Sequence, residues 1–202
     1  ESPEAYFTHT PGLRVVSPST ANDAYWMIQQ AIASPDPVVF LEPKAKYWHK
    51  GEVDPGAPAS GLHQSRVART GTDCTVVGFG AMVTTLLQAA EIAQSEGTSL
   101  EVIDLRTVSP IDYEPVLASV RKTGRVVVAH EASREAGVAA EVIASITEIC
   151  FEYLESAPLR VTGHDVPYPP AKLEKYLLPD LDRLLDAVDR VLDRGARTGV
   201  DA

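Results

Sequence analysis

Residues 71–112 read GTDCTVVGFGAMVTTLLQAAEIAQSEGTSLEVIDLRTVSPID. Within this stretch, residues 74–78 form a short apolar run closed by glycine, the pattern of a strand. Residues 81–95 follow, rich in the helix formers Ala and Leu. Residues 100–105 are a second strand-like run. Asp112 is placed to cap a helix over residues 113–122, which Gly124 stops. Strand, helix, strand and helix joined by short connections make the repeating element of a parallel sheet.

The alternation extends both ways. Downstream, residues 125–129 read as a strand, 137–154 as a long helix and 159–162 as another strand. Residues 181–192 close with apolar side chains at 181, 184, 185, 188, 191 and 192, an amphipathic helix. Upstream, PGLRVVSP at residues 11–18 holds a β-branched run between turn formers. A helix is expected from an N-cap at Ser19 or Thr20, with Asp23 in its first turn, to about Ala33. Residues 37–41 are the next strand, completing a β–α–β unit. Residues 43–65 are polar, rich in Pro, Gly and Ser, and without apolar periodicity. They read as a domain boundary. The expected fold is α/β, mostly parallel and doubly wound.

Composition narrows the function classes. The chain has 202 residues, with 18 Lys+Arg against 28 Asp+Glu and a net charge of −10. That balance argues against unaided binding to nucleic acid or an anionic membrane, both of which demand a cationic face. It suits a small-molecule enzyme or docking to a basic protein partner. No stretch approaches the ~20 apolar residues of a membrane span. The only cysteines, Cys74 and Cys150, are too few for a disulfide framework and fit a reducing compartment.

Residue patterns offer little chemistry of their own. Gly78-Phe79-Gly80 stands where a dinucleotide fingerprint begins, with Asp104 placed as a ribose partner, but Val83 occupies the third glycine position. A tight strand–helix turn is the preferred explanation of the two glycines, which are cheap backbone devices after a strand. The histidines at 9, 49, 63, 130 and 164 never pair at metal-ligand spacing. His130-Glu131 follows a parallel strand, where a histidine can serve as general acid or base, and also where a polar pair can anchor a loop. Asp104-Leu105-Arg106 with Asp112 reads as an ion pair plus a helix cap.

Six segments in order carry a more specific likeness: SPEAYFTHTPGLRVVSPST, DPVVFLEPKAKYW, GTDCTVVGFGAMV, LEVIDLRTVSPID, KTGRVVVAHEA and the Pro-Tyr-Pro-Pro stretch before Tyr176. Together they closely resemble the beta subunit of the thiamine-dependent 2-oxo acid dehydrogenases, in the transketolase superfamily. The resemblance implies that residues 1–50 are the C-terminal part of a pyrimidine-binding domain, 51–65 a linker and 66–202 a transketolase C-terminal domain. It also implies that the glutamate activating thiamine, and the histidine of a His-Ser-x-Ser-Pro-Glu segment, would precede Glu1. The chain would then be a C-terminal fragment with no catalytic or cofactor-binding residue of its own, inactive alone and limited to assembly.

The family's other properties follow as expectations. The intact enzyme uses thiamine diphosphate and magnesium, held by a partner alpha subunit in a heterotetramer with a second beta subunit. It oxidatively decarboxylates a 2-oxo acid and acylates the lipoyl group of a dihydrolipoyl acyltransferase. Tyr47-Trp48-His49-Lys50 with Gly51-Glu52-Val53-Asp54 looks more like the branched-chain type, acting on 3-methyl-2-oxobutanoate, than the pyruvate type. A potassium ion is expected on the backbone carbonyls of Ala31, Ser34 and Asp36. Glu155, with Glu148 and Glu152 expected on the same helix, is the candidate contact for the acyltransferase, and arginines at 194 and 197 could oppose it. A bacterial source would place the protein in the cytoplasm. Two competing readings are a non-catalytic assembly module and a flavodoxin-like nucleotide-binding domain, the latter resting on Gly78-Phe79-Gly80.

Overall fold

The computed structural model describes residues 2–58 and 60–193; the arginine-bearing tail at 194–202 lies outside the described residues. A short helix α1 (Glu4–Thr8) leads into strand β1 (Arg14–Val16), helix α2 (Ala21–Ala33) and strand β2 (Val38–Phe40). Thr20 caps α2, its hydroxyl oxygen accepting the Asp23 N–H at 3.0 Å, which satisfies one of the helix's orphan donors. β1 and β2 pair in parallel with Val15 opposite Val39, so the β–α–β unit is present.

The second unit runs β3 (Arg66–Arg69), β4 (Cys74–Gly78), α3 (Met82–Ser95), β5 (Leu100–Asp104), β6 (Thr107–Ser109), α4 (Glu114–Thr123), β7 (Val126–Ser133), α5 (Val138–Cys150), β8 (Leu159–Gly163), α6 (Glu174–Leu177) and α7 (Leu181–Val191). Its sheet has the order β3–β5–β4–β7–β8, parallel except for the β3 edge. Successive side chains of a strand face opposite ways, and both faces here are covered. Val76, Val102 and Val127 pack beneath Leu86 and Ala90 of α3 and Leu184 and Val188 of α7. Their neighbours Val77, Ile103 and Val128 pack beneath Val116 and Val120 of α4 and Val142 and Ile146 of α5. Two buried faces explain why the strands read as unbroken apolar runs.

Several elements depart from the sequence reading. β3 and β6 were not expected, being four and three residues long. β3 carries an arginine at each end and pairs antiparallel to β5. β6 leaves the second unit and pairs antiparallel with β1, Ser109 opposite Val15, so one three-stranded sheet draws on both parts of the chain. The helix expected over 137–154 ends at Cys150 and continues as a single 3₁₀ turn, Phe151–Tyr153. Asp112 caps α4 from outside it, accepting the Glu114 N–H at 3.3 Å while its other oxygen accepts the Ser65 N–H at 3.1 Å. Gly124 ends the helix in the left-handed region at φ 66°, as expected.

Residues 51–65 do not hang free. The Asp54 N–H donates to Asn22 Oδ1 at 3.0 Å, the Trp26 indole N–H donates to Asp54 O at 2.8 Å, and Gln30 donates to Ser60 O at 3.1 Å. Leu62 is buried against Val16 and Met27. The segment is strapped along α2.

A buried ionic cluster joins the two units. Asp23 of α2 meets Arg66 of β3 at 2.7 Å and Arg106 at 3.0 Å, while Arg66 also reaches Asp104 at 3.0 Å. Ser19 donates to Asp104 at 2.5 Å. Arg106 is buried in the left-handed region at φ 55° and donates to the carbonyls of Gly61 and Gln64, both at 2.8 Å. The expected Asp104–Arg106 pair is therefore replaced by a four-residue cluster. Arg106 reaches Asp104 only through its backbone N–H, at 3.1 Å. Two arginines against two aspartates leave no net buried charge, the condition under which such a cluster is tolerated.

Candidate functional site

The carboxyl ends of parallel strands from both sheets open onto one cleft of about 570 Å³. Ser17 and Leu41, just past β1 and β2, form one wall. The turn after β4, at Phe79 and Gly80, and Glu131 of β7 form the other. This is where open α/β sheets place their sites.

Its distinctive groups are two carboxyls. Glu4, in the first turn of α1, is 2% exposed, and its Oε1 has no hydrogen-bond partner. Burial pushes its pKa up to about 7, and Glu131 adds to the rise. Glu131 is likewise raised by burial, with Glu174 pushing the same way and Lys46 opposing. A carboxyl in a poorly solvated place beside another holds its proton to higher pH. The pair can therefore store a proton near neutrality at the seam between the units. Sequence reasoning missed Glu4 because a five-residue helix carries no readable periodicity. The one available signal was a glutamate flanked by apolar residues in Pro3-Glu4-Ala5-Tyr6-Phe7.

His130 lies in β7, next to Glu131, and neither of its ring nitrogens has a hydrogen-bond partner. Its ring is buried, stacked on Phe79 with centroids 6.5 Å apart. It also presses on the start of α5, where a Cβ at Gly137 would lie 2.5 Å from the ring. Burial and the nearby Arg160 guanidinium push its pKa down to about 4, so it stays neutral at physiological pH.

The Gly78-Phe79-Gly80 turn offers no phosphate cradle. Gly80 takes φ 55°, and a Cβ there would lie 2.6 Å from Ser17 Oγ. The turn is packed onto the end of β1, and Asp104 is spent on Arg66 and Ser19. Among the described residues no group of three or more His, Cys, Asp or Glu side chains could hold a metal ion. These residues therefore do not fit a magnesium diphosphate.

The remaining candidates lie elsewhere. Ala31, Ser34 and Asp36 share the turn after α2, where the Ala31 carbonyl accepts the Ser34 N–H at 3.2 Å. The Asp36 carboxylate pairs with Arg14 at 2.9 Å. Glu155 sits beyond the 3₁₀ turn rather than on the helix of Glu148. It pairs with Arg125 and packs over Gly124, whose carbonyl accepts its N–H at 2.8 Å. Around it, Ile149, Phe151 and Tyr153 stand half or more exposed.

Comparison with known proteins agrees with this two-part architecture. Residues 63–184 match the family described as Transketolase, C-terminal domain, and residues 1–49 match Transketolase, pyrimidine binding domain. Over 95% of this chain there is 59% identity to the pyruvate dehydrogenase E1 component subunit beta of Leifsonia xyli, covering 57% of that protein. There is 51% identity to the 3-methyl-2-oxobutanoate dehydrogenase subunit beta of Mycobacterium tuberculosis, covering 95% of this chain and 56% of that protein. The chain thus spans about half the length of the curated relatives it matches. Among solved structures, a split-gene transketolase described as an inactive beta4 tetramer superposes with a TM-score of 0.72 at 28% identity, over 94% of this chain and 60% of that one.

Proposed function

The chain belongs to the transketolase family, and from that membership we propose that it serves in the beta subunit of a thiamine-dependent 2-oxo acid dehydrogenase. The supporting observation is the succession of the two family domains on the two sheets, shared with relatives named as beta subunits of such enzymes. In this reading the chain's own contribution is assembly and positioning. The ionic cluster fixes the first unit against the second, and the Glu4–Glu131 cleft lies on their seam. Thiamine diphosphate and magnesium belong to the complete enzyme with its alpha subunit. Potassium on the Ala31, Ser34 and Asp36 carbonyls is part of the same proposal, since a helix carboxyl end presents electron-rich oxygens.

The substrate reading is branched-chain, carried by the Tyr47–Asp54 stretch. The 59% identity to a pyruvate-type subunit favours pyruvate as the second reading. Full-length protein paired with its alpha subunit and thiamine diphosphate is assayed with both acids. Turnover of 3-methyl-2-oxobutanoate above pyruvate supports the first reading and the reverse order the second. No turnover of either contradicts the proposal. A dihydrolipoyl acyltransferase is proposed to dock on the acidic, aromatic surface around Glu148, Glu152 and Glu155. Replacing Glu155→Lys should then slow its association at low salt, where charge complementarity acts most strongly. An unchanged rate removes Glu155 from the contact.

A further inference from the structure

Glu4 opens α1, a five-residue helix without a side-chain cap that packs against β1 and β6. Tyr6 of this helix is 83% exposed and Phe7 is partly buried against the larger unit's core, which leaves Glu4 as its one buried residue. The position is unusual for a carboxyl, because Oε1 is shut away from water without a hydrogen-bond partner. Only its own backbone N–H and the charge of the chain's amino terminus favour the carboxylate form, and burial outweighs both. A neutral carboxyl is tolerated in such a place, whereas an ionised one is expensive to keep from water.

The surroundings reinforce that bias. Glu131, on β7 of the second unit, lines the same cleft, and its negative charge opposes ionisation of Glu4. Glu131 is itself kept charged by Lys46 of the 3₁₀ turn at Lys44–Lys46, by the amino terminus and by the Ser2 hydroxyl, with Glu174 of α6 opposing. Glu42 and Lys44 complete the charged lining; Glu42 accepts the Tyr47 hydroxyl at 2.7 Å, and Glu174 accepts that of Tyr168. Neither strand beneath α1 supplies a free cation: β6 carries no charge, and Arg14 of β1 is paired with Asp36. We propose that Glu4 is a proton-operated latch between the two units. Its neutral carboxyl lets α1 close over the seam; ionisation drives the side chain into water, and α1, short and uncapped, leaves with it and opens the cleft beside Glu131. The folded pKa of about 7 lies above the ordinary 4.5, so the latch holds fully below pH 4.5 and is released as pH rises through 7. The balance of open over closed α1 then grows about 300-fold across that range, and about 30-fold of it falls between pH 5.5 and 8.

Hydrogen exchange of the full 202-residue chain reads the opening, with every rate corrected for the intrinsic effect of pH. The amino terminus is acetylated throughout, so that its own titration does not enter. The amides of Tyr6, His9 and Thr10 donate within α1 and its exit turn. They should exchange about 30-fold faster or more at pH 8 than at pH 5.5, while the amides of β4 and β5 hold. Glu4→Gln cannot ionise, so its α1 should stay equally protected at both pH values. A carbon-13 NMR titration of the Glu4 carboxyl in the wild type does not depend on how the variant folds, and its midpoint should fall near 7 or above. No acceleration in the wild type, an equal acceleration in Glu4→Gln, or one shared by β4 and β5 overturns the latch. So does a Glu4 midpoint in the ordinary range near 4.5.

Discussion

The two sheets are stabilised in different ways. In the five-stranded sheet, both faces are covered by helices and each face has its own buried cluster, one centred on Val76 and Leu86, the other on Val77 and Ile146. In the three-stranded sheet, the separate cluster is Val16, Met27 and Leu62, while Val15 belongs to the larger unit's core. One of its strands, β6, is lent by the second unit. The larger sheet is held by apolar burial, which is non-directional and scales with area. The smaller is held by a lent strand, a strap along α2 and a charge cluster, which depend on particular partners. Order in the first unit is therefore borrowed, and single polar substitutions should disturb it as much as core truncations disturb the second.

The largest expected effect is at Arg106. Arg106→Ala leaves Asp23 buried with one cation fewer and frees the carbonyls of Gly61 and Gln64, a loss of about 3–5 kcal/mol by analogy with broken buried pairs. Urea unfolding followed by the fluorescence of Trp26 and Trp48 measures it; a loss below about 1 kcal/mol would break the comparison. Leu86→Ala, in the fully buried core of the larger sheet, should cost about 3 kcal/mol and shift one cooperative transition without changing its slope.

Next comes Glu4. Its folded pKa of about 7 exceeds its ordinary 4.5. The folded chain therefore binds the extra proton, and this contribution to stability is full below pH 4.5 and lost as pH rises to 7. The whole change amounts to about 3 kcal/mol. Glu4→Gln should flatten stability between pH 5 and 7, as read by denaturant midpoints at each pH; an unaltered slope would place the proton elsewhere. The smallest effect is at Thr20, where Thr20→Ala removes the α2 cap for about 1 kcal/mol, measured as a lower melting temperature.

What the sequence disclosed follows the same division. β4, α3, β5 and α7 were legible because a core covered on both faces prints its pattern into consecutive residues. The Thr20 cap and the Gly124 stop were legible because capping is local. β3 and β6 were not, being short and dictated by distant partners. Nor was the cluster of Asp23 with Arg66 and Arg106, whose members lie 43 and 83 positions apart. The pairing of Glu155 with Arg125 across the Gly124 turn likewise had no signature in the chain.

Native-state hydrogen exchange followed by mass spectrometry tests the borrowed order most directly, comparing wild type with Arg106→Ala. Backbone amides of β1 and β2 should exchange through an opening of lower free energy than those of β4, β5 and β7. Arg106→Ala should accelerate exchange in β1, β2 and α2 while leaving the central strands of the larger sheet protected. Equal protection of both sheets in the wild type, or uniform acceleration across both in the variant, would contradict it.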